Sequence, residues 1–489
     1  MSAARPTLPA ALRDLRKSVV KEAAPTLARW KPDVAQESFA DSASNLAHYL
    51  ALRHHDLRDL QRELMRHGLS SLGRLESRVM LTLDTVESAL GALLEGGKLP
   101  EDWPPTAEVF FRGEAQLRRN TLRLLGGAPE STQGRVLVTL SLEAAQDPAH
   151  VLKLAQLGAD VMRINCAHDT PEDWAAMVAN TRAAATATGR TIRVLMDLGG
   201  PKFRTGKVKR QPGERLRRGD RFRLVRDAAG FRPDPMIEAE CLPPDVLAHL
   251  LVGTEVSFDD GNLGGVVAET APDHVVVQVE RTKLKGFKMQ PERGLLFPRA
   301  ELHLDPLTPR DLSDLDFVAQ HADMVGFSFV RTAADIARLQ DELAKRRTDW
   351  QQIGIVAKIE SAPAVHNLPE IIVRAAGRQP FGVMIARGDL AVAIGFERLA
   401  EMQEEILWLC EAAHVPVIWA TQVLEEMVKS GLPTRGEMTD AAMAGRAECV
   451  MLNKGPNVGE AILALRSLMQ RMQEHQSKKT ARLRALRSW

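Results

Sequence analysis

Between Arg135 and Leu452 the chain repeats one pattern, a short apolar run followed by a helix-length stretch. The runs are Arg135–Ser141, Asp160–Asn165, Thr191–Asp197, Asp323–Phe329, Gly354–Ile359, Gly382–Ala386, Pro416–Ala420 and Cys449–Leu452. Continuous apolar runs of this length, alternating with helices, indicate strands buried on both faces of a parallel sheet. Eight βα units fit a (β/α)8 barrel, an α/β fold whose working surface lies at the C-terminal ends of the strands. An open doubly wound sheet is the alternative.

One gap, from about Phe203 to Phe297, is too long for a single helix. Inside it Arg221–Val225, Glu255–Phe258 and His274–Val279 alternate as strands do, and Asp259-Asp260-Gly261-Asn262 has the composition of a hairpin turn. We expect a small β domain inserted after the third strand, placed to act as a lid that excludes water.

Residues 1–130 look helical, with apolar residues at helical spacing in Leu12–Leu27, Ser44–Gly68, Leu72–Glu95 and Thr106–Leu125. Pro25, Pro32 and the Pro100, Pro104 and Pro105 cluster are expected to punctuate these helices. His54-His55-Asp56 could suggest a metal site, but adjacent histidines on a helix point apart, so a solvated face is the better reading. The expected division is 1–130 helical region, 131–202 and 298–475 barrel, 203–297 lid, and 476–489 basic tail. A frayed, solvated helix end is expected for Lys478 onward.

At 489 residues the chain is too long for one small core. Its net charge of +1 gives no argument for nucleic acid or an acidic membrane. No run approaches the ~18 apolar residues of a spanning helix, and the N-terminus leads into no apolar signal segment. The four cysteines, Cys166, Cys241, Cys410 and Cys449, have no CxxC spacing and sit in mainly apolar contexts. Together these point to a cytoplasmic protein with reduced thiols.

The chemistry concentrates at two strand ends. Lys358 and Glu360 are two apart and share one side of a strand, and Asp389 closes the next apolar run. Two carboxylates suit a hard divalent cation such as Mg²⁺. A lysine beside them suits charge developing on a phosphoryl group or an enolate. A structural Lys–Glu–Asp network is the commoner fate of any one such pair. Three groups at adjacent strand ends make that the weaker reading.

From about Val136 to Glu474 the residues resemble the pyruvate kinase family. The resemblance is carried by Met162-Arg163-Ile164-Asn165-Cys166-Ala167-His168, Met196-Asp197-Leu198-Gly199-Gly200-Pro201-Lys202-Phe203-Arg204-Thr205-Gly206 and Asp259-Asp260-Gly261. Further pieces are Val325–Val330, Ala357-Lys358-Ile359-Glu360, Ala386-Arg387-Gly388-Asp389-Leu390, Ala420-Thr421-Gln422-Val423-Leu424-Glu425 and Pro433-Thr434-Arg435. All of them stand in the family's order, most at a strand end.

The resemblance implies Glu360 and Asp389 as Mg²⁺ ligands, with Mn²⁺ as a substitute. It implies Lys358 as the catalytic lysine and Arg163 and Arg204 as the guanidinium pair on the transferring phosphate. Gly388 and Asp389 would offer backbone N–H groups to the carboxylate of phosphoenolpyruvate, with the Thr421 hydroxyl alongside. Thr421 also matches the family threonine linked to protonation of the enolate. Asn165, His168 and Arg204 would lie on the nucleotide side.

The departures also lie on or near that side. Ser141–Ala145 replaces a Gly-Pro-containing loop, Gly199 replaces a lysine, and Asn453-Lys454-Gly455-Pro456 replaces a Ser-Gly-Glu-Thr turn. Many relatives need K⁺, at a site resembling Asn165, residue 167, Asp197 and the Leu198 carbonyl. Here Ala167 lacks the expected hydroxyl, and Lys202 stands where K⁺-dependent members carry a glutamate. A fixed ammonium close to the ion's place would repel it, so K⁺ is expected not to be required.

The expected function is therefore a magnesium-dependent phosphotransferase, converting phosphoenolpyruvate and ADP to pyruvate and ATP. A lyase handling phosphoenolpyruvate or pyruvate on the same barrel, or a non-catalytic phosphoenolpyruvate sensor, are the alternatives. Neither nucleic acid nor a membrane is expected as a partner, and a homo-oligomer is compatible with the sequence. The resemblance includes no regulatory C-terminal domain, and the helical N-terminal region is extra to it.

Overall fold

A computed structural model of the chain describes residues 7–127, 134–259, 261–298, 300 and 305–482. The expected junction at 130/131, Asp260 of the hairpin turn and the tail beyond 482 lie outside the described residues.

Three strands come first: β1 (Arg135–Thr139), β2 (Val161–Asn165) and β3 (Arg193–Asp197). The insertion follows with β4 (Phe203–Lys209), β5 (Arg221–Val225), β6 (Glu238–Leu242), β7 (Glu255–Phe258), β8 (Leu263–Thr270), β9 (His274–Thr282) and β10 (Gly294–Leu296). The chain then resumes with β11 (Met324–Phe327), β12 (Gly354–Ile359), β13 (Phe381–Ala386), β14 (Val417–Ala420) and β15 (Cys449–Leu452). β1–β3 and β11–β15 close into one parallel barrel in the order β1-β15-β14-β13-β12-β11-β3-β2. The fold is thus α/β, with the eight expected strands displaced by at most about two residues at their ends.

β4–β10 form a second, smaller closed barrel with its own core around Phe222, Phe258 and Val277. The turn after β7 joins it to β8 as an antiparallel hairpin.

Strand alternation sorts the large barrel into an inside and an outside. Leu137, Val161, Leu195, Met324, Val356, Met384 and Ile418 form the interior cluster, while their neighbours Val136, Val138, Val194 and Ile355 join the core beneath the helices. Two residues further along a strand the side chain again points inward, now at the C-terminal mouth. That step leads from Val161 to Arg163, from Leu195 to Asp197, and from Val356 to Lys358.

The N-terminal region folds into helices Leu8–Trp30, Ala40–Arg53, Arg58–Arg66, Val79–Glu95 and Arg112–Leu125. Several expectations need correction: the helix expected over Leu72–Glu95 begins only at Val79, after a tight turn at Glu76–Arg78. The first helix runs through Pro25, because Leu12, Leu15, Val19, Ala23 and Trp30 bury one continuous face. That burial outweighs the roughly 3 kcal/mol that an internal proline costs. Ser44–Gly68 is two helices, broken at His54–Leu57, where Asp56 accepts from the Arg58 backbone N–H. His54 and His55 lie in this break rather than on a helix, and instead of pointing apart both face Glu22, at 4.0 and 3.1 Å.

The last of these helices closes the N-terminal end of the barrel. Leu124 and Leu125 belong to the same cluster as the barrel interior. An added Cβ on Gly354 or Gly382 would stand 2.4 or 2.5 Å from the Leu124 methyl groups. The absence of side chains at the start of β12 and near the start of β13 makes room for this leucine.

As far as residue 482, the basic tail is also not a frayed helix end. After the helix Val458–Gln473 the chain turns into a two-stranded hairpin, Gln476–Ser477 with Thr480–Ala481. Lys478 pairs with Glu448, and Lys479 pairs with Glu76 and lies 4.7 Å from the Trp408 ring centroid. Three glutamates grouped in this region (Glu76, Glu411 and Glu448) draw both ammonium groups in. All four cysteines are buried and free, and no helix among the described residues is long and apolar enough to cross a membrane.

Candidate active site

Three strand ends meet at the C-terminal mouth of the large barrel. Arg163 at the end of β2 donates from Nε to Asp197 Oδ2 at 2.9 Å, places Nη2 on the same oxygen, and gives Nη1 to Thr139 Oγ1 at 3.1 Å. Lys358 Nζ lies 3.4 Å from Asp197 Oδ2 and 3.2 Å from Glu360 Oε1, and donates to Ser328 Oγ at 2.7 Å. Ser328 in turn donates to the Leu198 carbonyl at 2.7 Å. Asp197 is thus the hub between a guanidinium and an ammonium, and it is 1% exposed.

Burial alone would push the Asp197 carboxyl up; Lys358 and Arg163 bring it below its usual value. Burial alone would lower the Lys358 ammonium, yet Asp197 and Glu360 raise it. Lys358 is therefore held charged in a water-poor mouth, where electrostatic stabilisation is strong. Glu360 is different. Burial raises its carboxyl, Lys358 opposes the rise, and the nearby Asp389 adds to it.

Across the mouth, β13 ends at Ala386 and a helix starts at Arg387, with Asp389 in its first turn. The Gly388 N–H donates to Thr421 Oγ1 at 3.0 Å, which ties the turn after β14 to this helix start. Glu360 Oε2 accepts from the Phe329 N–H at 2.7 Å. Asp389 accepts from Lys202 Nζ at both oxygens, 3.2 and 2.9 Å.

The donor set fits a divalent ion of the hard class. Glu360 and Asp389 offer oxygen only and are 3% and 8% exposed, and the Asp389 charge adds to the upward push on the Glu360 carboxyl. The Lys202 ammonium stands in as that positive charge on Asp389. Among the described residues no third His, Cys, Asp or Glu joins them in a metal-binding group.

The monovalent-cation region looks different from the expectation. Lys202 was expected close to Asn165, Asp197 and Leu198; it reaches across to Asp389 instead, 5.9 Å from the Phe329 ring centroid. Asp197 already has two cations, whereas Lys202 is the one ion-pair partner of Asp389 among the described residues. Asn165 Oδ1 accepts from the Ala167 N–H at 3.2 Å, and the Leu198 carbonyl is taken by Ser328. Asp197 Oδ1 alone of these oxygens is buried without a partner.

On the side assigned to a nucleotide, His168 follows β2 and Arg204 stands near the start of β4 at the lid base, opposite Gly294. Burial lowers the His168 imidazole, and Lys454, Arg204 and Arg163 lower it further. A cavity of about 1030 Å³ opens between the small barrel and the large one, walled by Lys202, Glu360, Phe297, Phe329 and Phe396. Sequence reading missed Ser328 as the partner of Lys358, Asp197 as the ion-pair hub, and Arg387 beneath Thr421. For Asp197 a signal existed: it stands two residues beyond Leu195 at the mouth, as Lys358 does beyond Val356.

The chain matches the family model described as pyruvate kinase, barrel domain, over residues 132–460. It is 32% identical over 349 residues to a pyruvate kinase of Dictyostelium discoideum, covering 69% of this chain and 65% of that protein. It is 32% identical over 334 residues to one of Thermococcus litoralis, covering 68% of this chain and 66% of the relative. With one of Mycobacterium intracellulare it shares 31% over 346 residues, 70% of each chain. The chain thus spans just under two thirds of the length of the first two of these relatives.

Proposed function

Because the chain belongs to the pyruvate kinase family, we propose that it transfers the phosphoryl group of phosphoenolpyruvate to ADP, giving pyruvate and ATP. The observation that carries this reading is the meeting of Lys358, Arg163, Asp197, Glu360 and Asp389 at one barrel mouth under the inserted lid. We further take 131–202 with 298–475 as the catalytic barrel and 203–297 as the lid.

In this reading Glu360 and Asp389 would hold Mg²⁺ or Mn²⁺, which would supply positive charge beside the transferring group. The Lys202 ammonium on Asp389 would be a fixed positive charge beside it. The Lys358 ammonium, held charged by Asp197 and Glu360, stabilises the phosphoryl group in transit and the enolate oxygen left behind. Arg163 and Arg204 neutralise the phosphate from the two sides of the cleft. The Gly388 and Asp389 N–H groups and the Thr421 hydroxyl hold the substrate carboxylate at the helix start, and Thr421 orders the proton delivered to the enolate carbon. His168, Asn165 and Arg204 face the acceptor. Closing the lid excludes water from this charged mouth.

The test is pyruvate release from phosphoenolpyruvate by the purified protein, with Mg²⁺, with and without ADP. Release that depends on ADP is expected. Release without ADP would make the protein a lyase or phosphatase, and tight binding without turnover would make it a sensor.

A further inference from the structure

Immediately after β14 the backbone takes an unusual course. Thr421, Gln422 and Leu424 have φ of +64°, +56° and +48°, so three of four non-glycine residues lie in the left-handed region. Side chains disfavour that region, and such a run persists only where its surroundings hold it. What holds it is visible one strand away. Arg387, 8% exposed, donates from Nε to the Ala420 carbonyl at 3.0 Å and from Nη2 to the Thr421 carbonyl at 2.5 Å.

The same guanidinium is braced from behind. Nη1 and Nη2 meet both oxygens of Asp440, on the helix Arg435–Ala444, at 2.5 and 2.9 Å. Its carbon lies 5.1 Å from the Trp419 ring centroid. One planar group therefore fixes two successive carbonyls, and with them the peptide planes on either side of Thr421. That orientation puts Thr421 Oγ1 at 3.0 Å from the Gly388 N–H.

We propose that the Arg387–Asp440 pair is a positioning device that holds Thr421 in its left-handed conformation and so aims its hydroxyl at the reacting carbon. Arg387 touches no reacting atom; it acts through Thr421, and the inference rests on the assignment of Thr421 given above. The role needs the fork rather than the charge. A lysine offers one ammonium and cannot hold two carbonyls and a carboxylate in one plane.

The experiment is a double-mutant cycle on the full chain, with T421A, R387K, D440N and the doubles R387K/T421A and D440N/T421A. It reads kcat, KM for phosphoenolpyruvate, Mg²⁺ dependence and thermal midpoint. R387K is expected to lower kcat about tenfold or more and to raise KM for phosphoenolpyruvate no further than T421A does. Adding R387K to T421A is expected to lower kcat no further, because the clamp acts only through that hydroxyl. D440N, at a more exposed position, is expected to lower kcat severalfold with the same non-additivity, and it decides the matter if R387K fails to fold.

Wild-type kcat in R387K would show that charge alone suffices and overturn the inference. So would losses that multiply in the doubles, or a folded D440N with unchanged kcat when R387K cannot be tested. A wild-type T421A would overturn the assignment of Thr421 and the inference with it. A damaged T421A beside an unaffected R387K overturns the inference alone.

Discussion

Lys202 Nζ donates to both carboxylate oxygens of Asp389, at 2.9 and 3.2 Å. The contact spans the junction of lid and barrel, since Lys202 directly precedes β4 and Asp389 opens the helix after β13. A positive charge built into the lid hinge thus reaches the carboxylate proposed for the metal.

Turnover is expected not to depend on K⁺. The Lys202 ammonium supplies fixed charge at the mouth, and Ala167 brings no side-chain oxygen to the monovalent region. Lys202→Glu is expected to lower activity in buffer free of Na⁺ and K⁺. Steady-state rates in tetramethylammonium buffer check this. A tenfold rise of wild-type turnover on adding K⁺, about 1.4 kcal/mol in the barrier, would contradict it.

Glu360→Gln and Asp389→Asn are each expected to raise the Mg²⁺ concentration for half-maximal rate by about tenfold or more, since each removes one of two anionic ligands. A Mg²⁺ titration of each variant measures it. Unchanged metal dependence in both would place the cation elsewhere.

Lys358→Met is expected to reduce kcat by roughly 10³-fold, about 4 kcal/mol, because it removes a charge used mainly in the transition state. The fold survives, since Asp197 keeps Arg163 and Glu360 keeps the Phe329 N–H. Circular dichroism with single-turnover kinetics separates the two effects. Near-normal turnover in the folded variant would refute the assignment.

Glu411 carries a pH dependence of stability. Burial raises its carboxyl to about 7, Lys478 and Lys479 oppose the rise, and Glu76 and Glu448 add to it. Between the unfolded value near 4.5 and about 7, the unfolded chain has lost a proton that the folded chain keeps. Stability therefore falls as pH rises through this window, and the loss is complete above it. Glu411→Gln is expected to flatten the profile and to gain on the order of 2 kcal/mol at pH 8. Urea melts from pH 5 to 8 provide the comparison; parallel profiles would contradict it.

Leu124→Ala is expected to cost about 2–5 kcal/mol, because it opens a cavity against Gly354 and Gly382 that the strands cannot collapse into. The specific activity of the folded fraction should stay within about twofold, as the leucine lies at the end of the barrel opposite the site. A chain starting at Gly134 would expose the same interior and is expected to be less soluble. If soluble, it should keep measurable activity. Complete loss of chemistry in a folded truncation would show that the helices complete the site.

The sequence by itself determined the eight strands and the inserted β region, because burial on both faces leaves continuous apolar runs and alternation leaves a two-residue period. It also determined which residues stand at the mouth, since Lys358 lies two beyond Val356 and Glu360 two further. Tertiary structure alone decided who meets whom. Asp197 joins Arg163 and Lys358 because β2, β3, β11 and β12 follow one another around the barrel, and Lys358 reaches past β11 to β3. Lys202 went to Asp389, 187 residues away, rather than to the region beside its own strand. Leu124 plugs the barrel, and Lys478 and Lys479 are drawn to Glu448 and Glu76 instead of solvent. Each of these outcomes is a competition among charges or apolar surfaces far apart in the chain. Local periodicity carries no term for such a competition, which is settled only when the elements pack.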